Sequence, residues 1–196
     1  MPTHAPTTSA DSISGPWMQA ASGRAVPILH PGPADIDIYD IATALSRIPR
    51  FNGHTTHPYS VAQHSVYVHD MAPTALRPYA LLHDAHEAYL GDIIKPLREA
   101  LAELVGTDAL GEIKKRFDAA IFAAFDLSWP LAPRRAEILH RLDMQALSCE
   151  RRDLLTIGGR EWDAPLPIPT GPTIVSQSAE KSREEFLYLC RWNGFF

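Results

Sequence analysis

The chain has 196 residues, 45% of them hydrophobic, and a formal net charge of −5. Length and composition suit one globular domain with a sizeable core and exclude disorder for the bulk of the chain. The acidic balance argues against nucleic-acid binding, which normally needs a basic surface, and no apolar run reaches the roughly 20 residues that span a bilayer. Cys149 and Cys190 form no close pair, so we expect no disulfide scaffold and a reducing, cytoplasmic setting.

Residues 1–23 are predicted to form a flexible N-terminal tail, followed by one domain over residues 24–196. The opening stretch has neither a basic nor an apolar segment, so we expect no secretory signal. After the tail, apolar residues recur at helical spacing nearly everywhere, and β-type alternation is scarce. We therefore predict an all-α fold, a single helical bundle of about seven helices.

Local start and stop signals mark the first two helices. Asp37 is the predicted N-cap of a helix that ends before Pro49. After a loop, Ser60 and Gln63 form an S-x-x-Q capping-box pattern that opens the second helix. The apolar spacing of this second helix places His64 on its inward face.

The third predicted helix contains the stretch LLHDAHEAYLGD. It begins near Pro73 or Pro78 and closes at Gly91, where a residue without Cβ can turn left-handed. His83 and Asp84 are predicted to point inward from this helix.

The rest of the chain is also predicted to be mainly helical. A short helix runs from Pro96 to Gly106, a longer one covers residues 110–124, another follows Pro133, residues 165–172 form an extended loop, and Ser178 caps a final helix. Asp143 interrupts the apolar stripe of the helix after Pro133. Most of the charges of Glu150, Arg151 and Arg152 are expected to be solvated or to pair across a subunit boundary.

Six of the nine histidines fall within residues 54–86. Histidine is the usual metal ligand and proton-transfer group near neutral pH. The helical faces select His64 and His83 as inward residues, and His69 falls off the face of His64. His54 and His57 lie on a loop, where they either contact a substrate or are simply solvated.

Four inward polar residues, His64, His83, Asp84 and Asp143, share one property: each interrupts an apolar face. A buried charge is unfavourable unless it is paired or bound to a metal. Two imidazoles and two carboxylates suit Mn, Fe, Co, Ni or Zn better than Ca. Each residue also has an ordinary alternative, such as a hydrogen-bonded core histidine or an aspartate paired with a neighbouring arginine.

The same four residues resemble the H…HD…D set of the HD-domain metal-dependent phosphohydrolases. The second helix reads HDxxE…GD, and with the upstream stretch RFNGHTTHPYSVAQHSV it is similar to the YfbR-like 5′-deoxynucleotidases and their phage-borne relatives. The resemblance spans residues 37–98 and resumes at LDMQALSCERRDLL. It implies an HD-type domain in which the four residues bind a divalent transition metal (Mn, Co, Ni, Fe or Zn, with Mg as a further candidate).

The resemblance also implies two catalytic carboxylates, Glu87 and Asp92. Helical spacing puts Glu87 on the face of His83 and Asp84, where it could orient water or move a proton. Its alternative is a surface glutamate in an i, i+4 pair. Asp92 follows the end of the helix, where an acid opposes the helix dipole, and the matching acid of the family acts near the scissile phosphate.

Substrate-binding candidates are Arg50, Lys95 and His86. Arg50 resembles the phosphate-contacting arginine of the family, while Lys95 and Arg98 add positive charge at the start of a helix. His86 either lines the site or is an exposed helix histidine. The aromatic candidates for stacking on a base, each with core packing as its alternative, are Phe51, Tyr59, Trp129 and Trp162.

The predicted function is metal-dependent hydrolysis of a nucleotide phosphate ester, in particular a deoxynucleoside 5′-monophosphate. Within this class the alternatives are a deoxynucleoside triphosphate triphosphohydrolase and a hydrolase of a signalling nucleotide. Outside it, the alternative is a metal-dependent nucleotide sensor without activity. The expected partners are a small nucleotide and further copies of the chain, with neither nucleic acid nor membrane.

Overall fold

The computed structural model describes residues 15–156, 158, 160, 162 and 165–196. This part of the chain is mostly helical, as predicted. Its strands and helices are β1 (Trp17–Gln19), β2 (Ala25–Pro27), α1 (Ile38–Leu45), α2 (Val61–Met71), α3 (Arg77–Leu82), α4 (Glu87–Leu90), α5 (Lys95–Val105), α6 (Ala109–Ala124), α7 (Pro133–Leu154) and α8 (Ala179–Trp192).

A small antiparallel hairpin precedes the helices. Trp17 lies opposite Pro27 and Gln19 opposite Ala25, and Val26 of β2 is fully buried. The first 14 residues of the predicted tail lie outside the described part of the chain. β1, over Trp17–Gln19, lies within the stretch predicted as a tail. A strand of three residues is too short to show alternation in the sequence.

The predicted helix starts rest on caps that the structure contains. Asp37, Ser60 and Ser178 each accept a hydrogen bond from a backbone amide in the first turn of α1, α2 and α8. The capping box expected at the start of α2 is only half formed. The side chain of Gln63 instead donates from Nε2 to the carbonyl of Val175, at 2.6 Å, and so ties α2 to the segment before α8.

The third predicted helix is divided in the structure. It is interrupted between Leu82 and Glu87, and the amides at positions 85, 87, 88 and 89 donate to the carbonyl three residues earlier. This is the tighter 3-10 pattern, which often marks a functional position within a helix. His83 and Asp84 therefore lie in a tight turn between α3 and α4.

The helix that bears His64 lies at the centre of the bundle. α2 packs against α1, α3, α7 and α8, and His64 is fully buried within this packing. The largest fully buried apolar side chains of the described core are Ile41, Leu45, Leu81, Leu82, Phe117, Ile121, Phe122, Leu154 and Phe186. Because α2 contacts elements from both halves of the chain, it holds residues distant in sequence around one point.

The short helix α5 differs from the rest, since none of its residues is buried. Its leucines Leu97, Leu101 and Leu104 are exposed rather than packed in the core. Among the described residues, no helix combines the length and the apolar character that crossing a membrane requires.

Candidate metal centre

The four residues predicted as metal ligands meet at one point. His64 comes from α2, His83 and Asp84 from the turn between α3 and α4, and Asp143 from α7. The two Nε2 atoms are 3.2 Å apart, and each lies within 3.8 Å of one carboxylate oxygen of Asp84 and one of Asp143. Residues that are far apart in sequence thus present two nitrogen and two oxygen atoms to the same small volume.

The outer nitrogen of each histidine ring has its own hydrogen-bond partner. Nδ1 of His64 is 2.6 Å from Oε1 of Glu150, and Nδ1 of His83 is 2.8 Å from the carbonyl of Ala80. Both partners are acceptors, so in each neutral ring Nδ1 is the nitrogen that carries the hydrogen. The Nε2 lone pairs are left facing inward, the arrangement found in metal-ligating histidines.

In their neutral-imidazole and carboxylate forms, the four inward atoms are all acceptors. Acceptors packed this closely repel one another unless a cation lies between them. Ligands about 2.1 Å from one ion lie about 3.0 Å apart when adjacent in an octahedron and about 3.4 Å apart in a tetrahedron. The observed separations of 3.1 to 3.8 Å begin at these values and extend slightly beyond them. His64, His83 and Asp143 form a group that could hold a metal ion, and Asp84 lies within 3.4 Å of both imidazole nitrogens.

Without a metal, protons are the cations that compensate the cluster. Burial lowers the pKa of His83, but the charge of Asp84 and hydrogen bonds to both aspartates outweigh it and raise the pKa to about 9. Burial acts in the opposite sense on Asp84, and there the charge of His83 outweighs it and holds the pKa of Asp84 well below its usual range. The centre is therefore a strong cation site even before a metal enters.

Glu150 completes the centre, a role that the sequence did not predict. Its side chain is 0% exposed, and besides His64 it contacts Arg50, whose Nη2 is 3.1 Å from Oε2. Burial raises the pKa of Glu150, but Arg50 and His64 outweigh it and lower the pKa to about 2. Glu150 is thus the exception in a run whose charges are expected to be mostly solvated or paired across a subunit boundary, since Arg151 and Arg152 are exposed. The available signal was spacing: Glu150 follows Asp143 by seven residues, two turns along the same face of α7.

Arg50 lies between two carboxylates of the centre. It sits in a short 3-10 turn after α1, is largely buried, and places Nη1 3.6 Å from Asp84 in addition to its contact with Glu150. Burial lowers the pKa of Arg50, but the charges of Glu150 and Asp84 outweigh burial and raise the pKa above its ordinary value, so the guanidinium stays charged. In this structure Arg50 pairs with the predicted ligand Asp84, and contact with a phosphate stays a prediction.

Glu87 is buried beside the centre rather than lying on the surface. It is 8% exposed, and Oε2 has no hydrogen-bond partner among the described residues. Burial, followed by the charges of Asp84 and Asp92, raises its pKa well above the usual range. Burial also raises the pKa of Asp92, with Arg50 opposing this shift and Asp84 adding to it. The two predicted catalytic carboxylates therefore share the electrostatic surroundings of Asp84 and Arg50.

Comparison with known proteins assigns the chain to a family without naming an activity. No protein-family profile matches it. It is 38% identical to the uncharacterized protein YfdR of Escherichia coli strain K12 over 135 residues, which are 69% of this chain and 70% of YfdR. The chain belongs to the YfdR family. An uncharacterized protein of Rhodobacter capsulatus is 39% identical over 120 residues, which are 57% of this chain and 59% of that relative.

His86, a substrate-binding candidate of this YfdR-family chain, contacts α6. His86 is buried, with Nδ1 3.2 Å from Asp118, which also pairs with Lys114 at 2.8 Å. His86 is thus not the exposed helix histidine of the alternative interpretation. With Asp84 and Glu87 it forms a second group of residues whose ligand atoms lie within 4.8 Å of one another.

Lys95 and Arg98 lie on the exposed helix α5 of the YfdR-family chain. The Lys95 side chain is 78% exposed, with its ammonium 3.6 Å from Glu99, and Arg98 lies 3.6 Å from Asp108. Their predicted role in substrate binding stays a prediction.

The other histidines of the cluster in sequence have different surroundings. His54 and His57 are exposed. His69 is buried and links α2 to α8, with Nδ1 3.0 Å from Asp70 and Nε2 3.3 Å from the side-chain nitrogen of Asn193. In the YfdR-family chain, His69 therefore has structural contacts, consistent with its position off the face of His64.

Among the aromatic candidates, Phe51 adjoins the centre. Its ring lies 5.5 Å from the guanidinium carbon of Arg50, and its φ of 55° is in the left-handed region. A bulky residue rarely adopts this conformation, and such strain often occurs at functional sites. Of the others, Tyr59 is buried, Trp129 stacks on Phe122 at 4.5 Å, and Trp162 lies 5.0 Å from the Arg151 guanidinium.

Proposed function

We propose that this YfdR-family protein is a metal-dependent phosphohydrolase of the HD-domain type. Its substrate would be a nucleotide phosphate ester, in particular a deoxynucleoside 5′-monophosphate. The observation that supports this most directly is the meeting of two imidazole nitrogens with one oxygen each of Asp84 and Asp143, with each Nδ1 already engaged by an acceptor. The substrate class rests on the resemblance of residues 37–98 to the YfbR-like 5′-deoxynucleotidases.

His64, His83, Asp84 and Asp143 are the residues that would hold the metal. Their mixed nitrogen and oxygen atoms favour Mn, Fe, Co, Ni or Zn, with Mg as a further candidate. When bound, such an ion supplies Lewis-acid chemistry, which neutralises phosphate charge and lowers the pKa of water. Glu150 and Ala80 keep the two rings in the orientation that this binding needs.

Proton transfer is the role proposed for Glu87. Hydrolysis joins a water oxygen to phosphorus and breaks the bond from phosphorus to the ester oxygen, and a proton from the water finally resides on the released nucleoside. Burial and the nearby charges of Asp84 and Asp92 raise the pKa of Glu87 well above its usual range, so this carboxyl group can hold a proton more readily than an ordinary glutamate and can act as a general acid or base. Asp92, in the same surroundings, is proposed to position the reacting groups.

Arg50 and Phe51 are proposed to act on the nucleotide. Arg50 holds Asp84 in place, and its permanent charge also favours a nearby phosphate. Phe51 offers a ring face next to that charge, and stacking of a base on an aromatic ring contributes about 1 to 3 kcal/mol. This adjacency would place base recognition and phosphate binding on consecutive residues.

The buried state of Glu87 favours an enzyme over a nucleotide sensor. A sensor needs the ligands and the cations, but it has no need for a desolvated carboxyl group that lacks a hydrogen-bond partner among the described residues. The number of phosphates on the substrate separates the remaining alternatives, a triphosphohydrolase and a signalling-nucleotide hydrolase.

A nucleotide panel tests the proposal. The protein is stripped with EDTA and reloaded singly with Mn, Co, Ni, Zn or Mg, and the release of phosphate, pyrophosphate and triphosphate is measured. We expect release of phosphate from deoxynucleoside 5′-monophosphates with at least one transition metal and loss of activity after EDTA. Triphosphate release would favour the triphosphohydrolase instead. Metal-dependent nucleotide binding without any turnover would favour the sensor.

A further inference from the structure

A groove lies between α2 and α8. It has a volume of about 390 Å³, and residues 172–175 and 177 line one side of it. On α2 its lining includes Gln63, Tyr67 and Asp70, which share one helical face. Each residue turns an α-helix by about 100°, so the side chain of His64 leaves α2 in a different direction from this face. We name this feature the α2–α8 groove.

The groove contains hydrogen-bond acceptors that lack donors. Gln63 is only 7% exposed, and because its Nε2 donates to the carbonyl of Val175, its Oε1 is fixed as the free acceptor. Neither this oxygen nor Oε1 of Gln177 has a hydrogen-bond partner among the described residues. Buried acceptors in native proteins are normally paired, so the groove suits a ligand that brings N–H donors.

The charges and rings around the groove favour a cation. The charged side chains among its described lining residues are Asp70 and Glu185, which are both acidic, and the aromatic rings include Tyr67 and Tyr188. Tyrosine faces attract cations, and carboxylates accept several hydrogen bonds at once. Each carboxylate therefore keeps free positions although Asp70 contacts its neighbour His69 and Glu185 lies 3.8 Å from Lys181.

We propose that the α2–α8 groove is a binding site for a small organic cation, an alkyl amine or alkyl guanidinium. The N–H donors would satisfy the carboxamide oxygens of Gln63 and Gln177, the charge would lie near Asp70 and Glu185, and the alkyl part would contact the tyrosine rings. A phosphorylated ligand would face two carboxylates there. The site is therefore distinct in ligand chemistry from the metal centre and does not depend on the proposed hydrolysis.

Titration with agmatine and n-butylamine tests the site, with n-butanol and butyrate as neutral and anionic counterparts. Binding is followed by NMR on zinc-loaded protein and on metal-free protein, which separates the groove from the metal centre, whose carboxylates also attract amines. We expect saturable shifts of the amides of residues 63–70 and 185–189 with the two cations alone. Shifts confined to the metal centre, equal binding of butanol or butyrate, or no binding at millimolar concentration would overturn the proposal.

Two variants and a matched control locate the interaction. Glu185→Gln, a change at a partly exposed side chain, should weaken agmatine binding about 3-fold or more, and Gln63→Met should weaken it about 10-fold or more because a charged donor loses a buried acceptor. Glu184→Gln removes the same charge from the next position of α8, which is exposed and outside the groove. Equal weakening by Glu184→Gln and Glu185→Gln would show general attraction to the acidic protein and would contradict the proposal.

Discussion

Asp84 connects three neighbours at the centre of the candidate site. One oxygen, Oδ2, lies 3.4 Å from His64, 3.1 Å from His83 and 3.6 Å from Arg50. No other carboxylate oxygen among the described residues has contacts with both imidazoles and the arginine at these distances. The consequences of removing it are therefore larger than the loss of one ligand.

Asp84→Ala is expected to abolish both metal binding and hydrolysis. The change removes one ligand and leaves Arg50 with a single carboxylate partner, Glu150. Metal affinity should fall by more than about 100-fold, beyond the loss caused by a residue that only orients a ligand. Metal content by mass spectrometry and phosphate release check this together. Undiminished hydrolysis in the variant would disprove the assignment of the metal centre.

Glu87→Gln is expected to separate chemistry from metal binding. The amide cannot transfer a proton at neutral pH, so turnover should fall by about 100-fold or more while the metal stays bound. Glu137→Gln, at an exposed position of α7, is the matched control and should leave both properties unchanged. If Glu87→Gln kept the full rate, the role of Glu87 in proton transfer would be excluded and the metal site would be unaffected.

Glu150→Gln tests orientation of a ligand rather than ligation. The variant removes the charge that fixes Nδ1 of His64 and pairs with Arg50. Metal affinity should fall by about 10- to 100-fold, with the bound metal still supporting turnover at saturating concentration. Titration of metal into stripped protein, followed by assay at high metal, distinguishes this result from a general loss of structure. An unchanged affinity would show that the contact with Glu150 does not orient His64.

The four predicted ligands can be recognised from their near neighbours in the sequence, whereas Glu150 cannot. His64, His83, Asp84 and Asp143 interrupt apolar stripes, which is visible within one helix. Glu150 lies in the charged run CERRDLL, and its burial depends on Arg50 and His64, which are far away in sequence. A charged residue among charged neighbours gives no local sign of burial, so only its spacing from Asp143 could have indicated the role.

Helix starts are likewise predictable where the residues that define them are close together in the sequence. Asp37, Ser60 and Ser178 cap their helices because each satisfies a backbone amide within its own first turn, and the sequence shows this directly. The interruption at His83 was not predicted. Its backbone stays in the right-handed helical region while the hydrogen bonds shorten to the 3-10 pattern, so the apolar spacing hardly changes.

The segment over residues 165–178 is held to the bundle by specific side chains. The Tyr67 hydroxyl donates to the carbonyl of Pro172 at 2.7 Å, and Asp153 accepts from the amide of Ile174 at 2.9 Å. Gly171 lies at the point of closest approach, where an added Cβ would collide with the Tyr67 hydroxyl and come within 3.1 Å of Cys149. The sequence predicted an extended loop here, but the hydrogen bonds that attach this loop to the helices involve residues far away in the sequence.

Gly171→Ala is expected to loosen this segment. The added methyl group must displace Tyr67 or the backbone, and overpacking of this kind usually lowers the free energy of unfolding by about 1 to 3 kcal/mol. Gly32→Ala is the control, since its Cβ would make an ordinary contact of 3.6 Å with Asp35. Urea unfolding measures both variants. Equal stability of Gly171→Ala and the unaltered protein would show that the Tyr67 side chain moves aside without lowering the free energy of unfolding.

At the scale of the whole molecule, metal binding and folding stability are linked. The centre joins α2, α7 and the turn between α3 and α4, so an ion that binds only the folded chain stabilises all three elements together. Each proton that the metal displaces makes affinity rise about tenfold per pH unit below the pKa of the displaced group. Without metal, the pKa of His83 is about 9. Burial and Arg50 lower the pKa of His64, but Glu150 and hydrogen bonds to both aspartates outweigh them and raise it well above its usual range.

The stabilisation by Mn²⁺ is therefore expected to grow between pH 6.5 and pH 8.5. A histidine whose pKa is raised in the folded state stabilises the metal-free protein below its unfolded pKa of about 6.5, and this contribution is lost as the pH rises through about 9. Over the same interval fewer protons compete with the metal. This reduced proton competition enlarges the difference in Tm between loaded and stripped protein, which thermal unfolding at the two pH values measures. Asp84→Ala should show no metal-induced difference in Tm at either pH. A pH-independent difference in the unaltered protein would show that metal binding does not displace a proton from His83.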